Sequence, residues 1–134
     1  MARLTLLIAD DDPVVRSMLG MRLEQSFDVL AAVNDAEEAV QAAGLRPDAA
    51  IIDVNMPGGG ERAIRGICEA SPETAIVVLS IDEEESLVRR LLQAGAMTFC
   101  RKGVGMLELT DLIERSVDAI RLQNGSAAVL ATQG

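Results

Sequence analysis

The sequence predicts a parallel α/β fold: one doubly wound sheet with helices on both faces. Two observations carry this expectation. Apolar runs of strand length alternate with amphipathic stretches of helix length, the pattern of a parallel sheet covered on both sides. The chain also has 134 residues, 49% of them hydrophobic, enough for one domain with a full core and no metal or disulfide support.

Five βα units follow in order. Strand 1 is expected at about Leu4 to Ala9. Helix 1 opens with Asp12 as N-cap and Pro13 at its first position and runs to about Gln25. Strand 2 covers about Asp28 to Val33. Asn34, with Glu37 three residues on, then offers a capping-box-like start for a helix ending near Gly44. Strand 3 is about Ala49 to Asp53 and helix 3 about Glu61 to Ala70. Ser71-Pro72 marks the turn into strand 4, about Ala75 to Ser80. Helix 4 spans about Glu83 to Ala94, closed by Gly95. Strand 5 is about Met97 to Arg101, and the last helix runs from about Met106 to Leu122. Residues 1–122 therefore form the domain, and QNGSAAVLATQG, residues 123–134, reads as a tail or a linker to an output domain outside this chain.

Composition narrows the function. Trp and Tyr are absent and Phe27 and Phe99 are the only aromatics, so the core is aliphatic. A net charge of −9 argues against nucleic-acid binding by this segment, because phosphate backbones are bound by clustered Lys and Arg. Eleven of the twelve basic residues are Arg, which leaves Lys102 as the single lysine. Cys68 and Cys100 are far apart in a chain without histidine, so they read as reduced thiols and not as a zinc site. The N-terminal LTLLIA is short and meets three aspartates at once, which fits neither a signal peptide nor a membrane span; a cytoplasmic protein is expected.

In an open parallel sheet, functional groups gather at the carboxyl ends of the strands. Here strand 1 ends in Asp10, Asp11 and Asp12, strand 3 in Asp53, strand 4 in Ser80 and strand 5 in Arg101 and Lys102. Singly, each has a structural explanation as a cap, a turn residue or a solvated charge. Together, carboxylates from strands 1 and 3 would repel, and a divalent cation removes the conflict. All-oxygen ligation suits Mg²⁺, with Asn55 able to add its backbone carbonyl. A carboxylate beside Mg²⁺ can attack phosphorus to form an aspartyl phosphate. Lys102 then supplies an ammonium and Ser80 a hydroxyl to the transferred oxygens, and the Pro57–Gly60 turn would bring backbone amides to the same place.

Residues 3 to about 122 resemble a bacterial response-regulator receiver domain. IADDDP resembles the acidic-pair motif, DVNMPG the phospho-acceptor motif, VVLS the strand with the switch hydroxyl, and GAMTFCRKG the segment with the aromatic switch and the lysine. The resemblance implies a flavodoxin-like (βα)5 three-layer sandwich with sheet order 2-1-3-4-5. It implies Asp53 as phospho-acceptor, Asp10, Asp11, Asp53 and the Asn55 carbonyl as ligands of Mg²⁺ with Mn²⁺ as a substitute, Lys102 and Ser80 as catalytic groups, and Ser80 with Phe99 as the switch. The donor would be a sensor histidine kinase or phosphotransfer protein. A homodimer through the helix 4, strand 5 and helix 5 face, and control of transcription by a separate DNA-binding domain, are further implications; the chain would be no enzyme beyond its own phosphorylation and dephosphorylation. Ile81 stands where small residues are common and is expected to narrow the pocket. Gly103 replaces the family's frequent proline. Two alternatives compete: a receiver-like scaffold that never accepts phosphate, and a haloacid-dehalogenase-like phosphatase, whose DxDx[TV] motif would have to follow the first strand.

Overall fold

The computed structural model describes residues 3–81 and 84–133, with side chains as far as residue 124. The elements are β1 (Thr5–Ala9), α1 (Pro13–Leu23), β2 (Asp28–Val33), α2 (Ala36–Ala42) followed by a 3-10 turn (Ala43–Leu45), β3 (Ala49–Asp53), α3 (Gly60–Ala70), β4 (Ala75–Ser80), α4 (Glu85–Ala94), β5 (Thr98–Arg101) and α5 (Met106–Gln133). All strand pairs are parallel, in the order β2-β1-β3-β4-β5. This is the flavodoxin-like order, and its reversal between β1 and β3 leaves a crevice at their carboxyl ends.

Strand alternation sorts the core into two layers. On one face Leu7, Ala9, Ile52 and Val78 pack against Ala39 of α2, Ile64 and Ile67 of α3 and Leu91 of α4. On the other, Leu6, Ile8, Ile51 and Val77 pack against Leu23 of α1 and Leu109, Ile113 and Val117 of α5. The central strands β3 and β4 are buried along their whole length, which is why they read as unbroken apolar runs. Phe27 is a plug at the end of α1, 2% exposed within the second layer.

Local chemistry sets the helix ends. Asp12 caps α1 as expected, its Oδ1 accepting from Val14 N at 2.9 Å and Val15 N at 3.3 Å, with Pro13 next in line. The cap of α2 is Asp35, not Asn34: Asp35 Oδ1 accepts from Glu38 N at 2.8 Å, and Glu38 Oε1 reaches back to Asn34 N at 3.1 Å. Asn34–Glu37 and Asp35–Glu38 have the same spacing, and the second pair is the one used. Helix α1 stops two residues before Gln25, and α2 gives way to a 3-10 turn that Arg46 ends in a left-handed conformation (φ 54°).

The largest departure lies at the end of the chain. Helix α5 does not stop at Leu122 but continues through Gln133. Gly125 costs about 1 kcal/mol against alanine inside a helix, yet the following AAVLA consists largely of helix formers and no proline intervenes. The expected start of helix 4 at Glu83 lies outside the described residues.

Candidate phospho-acceptor site

The sequence-predicted groups meet at the carboxyl edge of the sheet. Asp10 and Asp53 follow or end β1 and β3, adjacent strands in the sheet, and both are buried, 1% and 2% exposed. Asp11 is exposed beside them, and one carboxylate oxygen from each of the three lies within 4.8 Å of the others. The three aspartates in a row have separate places: Asp10 is buried beside Asp53, Asp11 joins the cluster from the exposed side, and Asp12 caps the helix.

Lys102 enters from β5 and bridges the buried pair, its Nζ 3.1 Å from Asp53 Oδ1 and 3.4 Å from Asp10 Oδ2. Burial pulls the Lys102 pKa down, but the hydrogen bonds and charges of Asp53 and Asp10 outweigh it, and the net shift is upward. The repulsion expected between the carboxylates is thus already countered from within the chain. The backbone of Lys102 is fixed as well, its N–H donating to Ser80 O at 2.9 Å.

Each carboxylate takes one amide from its own turn. Asp12 N donates to Asp10 Oδ1 at 2.9 Å, and Asn55 N donates to Asp53 Oδ1 at 3.3 Å. Asp10 Oδ2, by contrast, is buried and, among the described residues, has no partner beyond the Lys102 ammonium at 3.4 Å. A buried carboxylate oxygen with unused lone pairs, in a cluster made only of carboxylates, fits a hard divalent cation of the Mg²⁺ kind.

Ser80 is fully buried at the end of β4, one residue past the Leu79 that pairs with Asp53. Phe99 of β5 lies opposite Val78 in register and packs, half-buried, against the α2–α3–α4 layer. By strand alternation Ser80, Val78 and Phe99 share that face.

One expectation about the rim needs correction. The amides of Gly59 and Gly60 do not serve the site, because they donate within their own loop to Met56 O (3.0 Å) and Val54 O (3.1 Å). The glycines there meet a packing demand instead: a Cβ on Gly60 would lie 2.8 Å from the Val54 backbone, and one on Gly58, at φ 88°, 2.7 Å from Ala36 Cβ. Ile81 is 74% exposed just past the end of β4. Sequence reasoning missed Arg16, whose Nη1 donates to Asp10 O at 2.8 Å; one arginine on a helix carries no distinguishing signal in the sequence.

Comparison with known proteins agrees with this geometry. The family model for the response regulator receiver domain matches residues 6–114. The response regulator GacA of Pseudomonas viridiflava is 34% identical over 111 residues, 80% of this chain and 52% of that protein. The transcriptional regulatory protein PdtaR of Mycobacterium tuberculosis is 34% identical over 123 residues, 86% of this chain and 57% of that protein. The chain thus spans about half the length of these curated relatives. Among solved structures, the receiver domain of a Pseudomonas aeruginosa sensor histidine kinase, with a magnesium ion coordinated in its active site cleft, is 26% identical with a TM-score of 0.77. That alignment covers 87% of this chain and 99% of that one. A two-component response regulator of the LuxR family from Aurantimonas is 25% identical with a TM-score of 0.81, over 88% and 87% of the two chains. The phosphatase alternative finds no support in a match that reaches from the first strand into the last helix, and the chain belongs to the response regulator receiver domain family.

Proposed function

We propose that Asp53 accepts a phosphoryl group from a sensor histidine kinase or phosphotransfer protein, and that this modification switches the face formed by α4, β5 and α5. The observation that carries the reading is the pair of buried carboxylates, Asp10 and Asp53, held by one ammonium while Asp11 completes a three-carboxylate cluster. Asp53 Oδ1 is engaged by Lys102 and the Asn55 amide, which leaves Oδ2 as the attacking oxygen. As the P–O bond to Asp53 forms, the P–N bond of the donor phosphohistidine breaks, and the imidazole leaves with that electron pair. Asp10, Asp11, Asp53 and the Asn55 carbonyl would hold Mg²⁺, or Mn²⁺ in its place. Bound there, the ion supplies positive charge against the phosphoryl oxygens. Lys102 would neutralise charge on the same oxygens, and the Ser80 hydroxyl would donate to one of them.

On this reading the chain is no turnover enzyme; it catalyses only its own phosphorylation and dephosphorylation. Curated relatives named as transcriptional regulators support an output in transcription through a separate domain, with this acidic segment making no DNA contact of its own. Among the described residues no helix is long and apolar enough to cross a membrane.

Acetyl phosphate with Mg²⁺ tests the chemistry. One phosphoryl adduct, mapped by peptide mass to Asp53 and absent in Asp53→Asn, is the expected result. An adduct that persists in Asp53→Asn refutes the assignment, and a wild type that takes none favours the phosphate-independent scaffold.

A further inference from the structure

We propose that Arg16 is a positioning residue of the acidic site: by holding the Asp10 carbonyl it keeps the Asp10 and Asp11 carboxylates in the arrangement that receives a divalent cation. The inference rests on the reading of the site given above. Arg16 lies half-buried on α1 and reaches back six residues, its Nη1 donating to Asp10 O at 2.8 Å. Asp10 N, on the other side of the same residue, donates to Val33 O of β2 at 3.0 Å. Asp10 is therefore gripped at both backbone polar groups, once by the neighbouring strand and once by a guanidinium.

That grip matters because of where Asp10 stands. The β1–β3 ladder ends at Ala9, so the Asp10 carbonyl lies one residue beyond the sheet pairing that would otherwise satisfy it. The side chain is thinly held: among the described residues Oδ1 takes one amide, and buried Oδ2 has only the ammonium of Lys102. A rotation of the peptide after Asp10 would swing this carboxylate and also Asp11, the next residue. Arg16 is the side chain that resists such a rotation from the helix.

Charge alone predicts the opposite of this role. A guanidinium beside a cation site repels the incoming ion, so neutralising Arg16 should tighten binding if its effect were purely Coulombic. Positioning predicts the reverse, by the rule that groups orienting a metal's ligands are worth about tenfold or more in affinity.

The two are separated by calorimetric titration of the whole chain with MgCl2 alone, without phosphodonor. Wild type, Arg16→Ala, Arg16→Gln and Arg22→Ala would be compared, the last removing a charge from the far end of the same helix. Arg16→Ala and Arg16→Gln are expected to bind Mg²⁺ about tenfold more weakly, and Arg22→Ala as tightly as wild type or slightly tighter. Equal or tighter binding by a folded Arg16 variant overturns the proposal while leaving the site reading intact. A wild type that binds no Mg²⁺ overturns the site reading itself. Melting in EDTA identifies variants that are unfolded at the titration temperature, and if Arg16→Ala is one of them Arg16→Gln decides.

Discussion

At the scale of single residues, the site is organised around Lys102. Its ammonium bridges two carboxylates that are almost wholly buried, so removing it leaves Asp10 and Asp53 facing each other without a cation. Lys102→Ala is expected to lower stability in EDTA by about 2 kcal/mol, the scale for a buried polar group that loses its partner. Mg²⁺ should restore part of the loss, which thermal melts with and without the ion would show. The pH dependence has a definite sign. The folded-state pKa of Lys102 lies above its ordinary value, so the pairing contributes fully below about pH 10.4 and is lost as pH rises through the folded value. Urea denaturation of wild type and Lys102→Ala should give a stability difference that is flat from about pH 7 to about pH 10 and closes above it. The two cysteines, whose pKa values burial raises, titrate in both proteins and cancel in the difference. The convergence of Asp10, Asp53, Ser80 and Lys102 on one sheet edge was legible in the sequence because each sits where an apolar run stops. Arg16 was not, since its importance depends on a contact that only the folded turn creates.

At the scale of elements, boundaries followed local chemistry where one signal stood alone and slipped where two competed. Pro13 behind Asp12 fixed the start of α1, and Gly95, at φ 127°, closed α4. Adjacent Asn34 and Asp35, each with a glutamate three residues on, left the start of α2 open by one residue. The overrun of α5 has a different source: residues 123–134 lack a polar-apolar period and so read as a tail, but helix propensity alone carries the backbone on, and a glycine without a following proline only weakens a helix. Packing between α2 and α3 shows the opposite case, a glycine that helix propensity alone would replace. A Cβ on Gly66 would lie 2.4 Å from Val40 Cγ2, so the clash opposes the gain of about 1 kcal/mol that alanine brings to a helix. Gly66→Ala is expected to destabilise by about 1 to 3 kcal/mol, as overpacking does. Val40→Ala in the same chain should recover much of that loss, and a double-mutant cycle by denaturant titration would measure the coupling. Additivity of the two changes would show that the helices simply move apart.

At the scale of the whole molecule, the proposed function requires a route by which a change at Asp53 reaches the face of α4, β5 and α5. Ser80 and Phe99 share one side of the sheet, beside Val78, and the Lys102 amide ties the end of β5 to the Ser80 carbonyl. Modification shifts a conformational balance only by its differential interaction with the two states, so losing one hydroxyl should weaken coupling without stopping the chemistry. Ser80→Ala should still be phosphorylated on Asp53 but show a smaller phosphorylation-dependent change in self-association, read by sedimentation at matched phosphorylation. An unchanged response would mean that the signal leaves by another route. The shared face was readable from strand alternation, whereas the position of the Phe99 ring in each state depends on energies that no local pattern encodes. The bridge made by Lys102 has one more consequence. It is the chain's only lysine, so an amine-reactive reagent finds a single side-chain target in the entire protein. While the two aspartates hold that amine protonated it should label slowly; a divalent ion that draws the carboxylates away should speed labelling, and a phosphoryl group that takes their place should slow it again. The mass of the Lys102 peptide, which separates this label from that on the α-amine, followed over a time course would then let the protein report the occupancy of its own site.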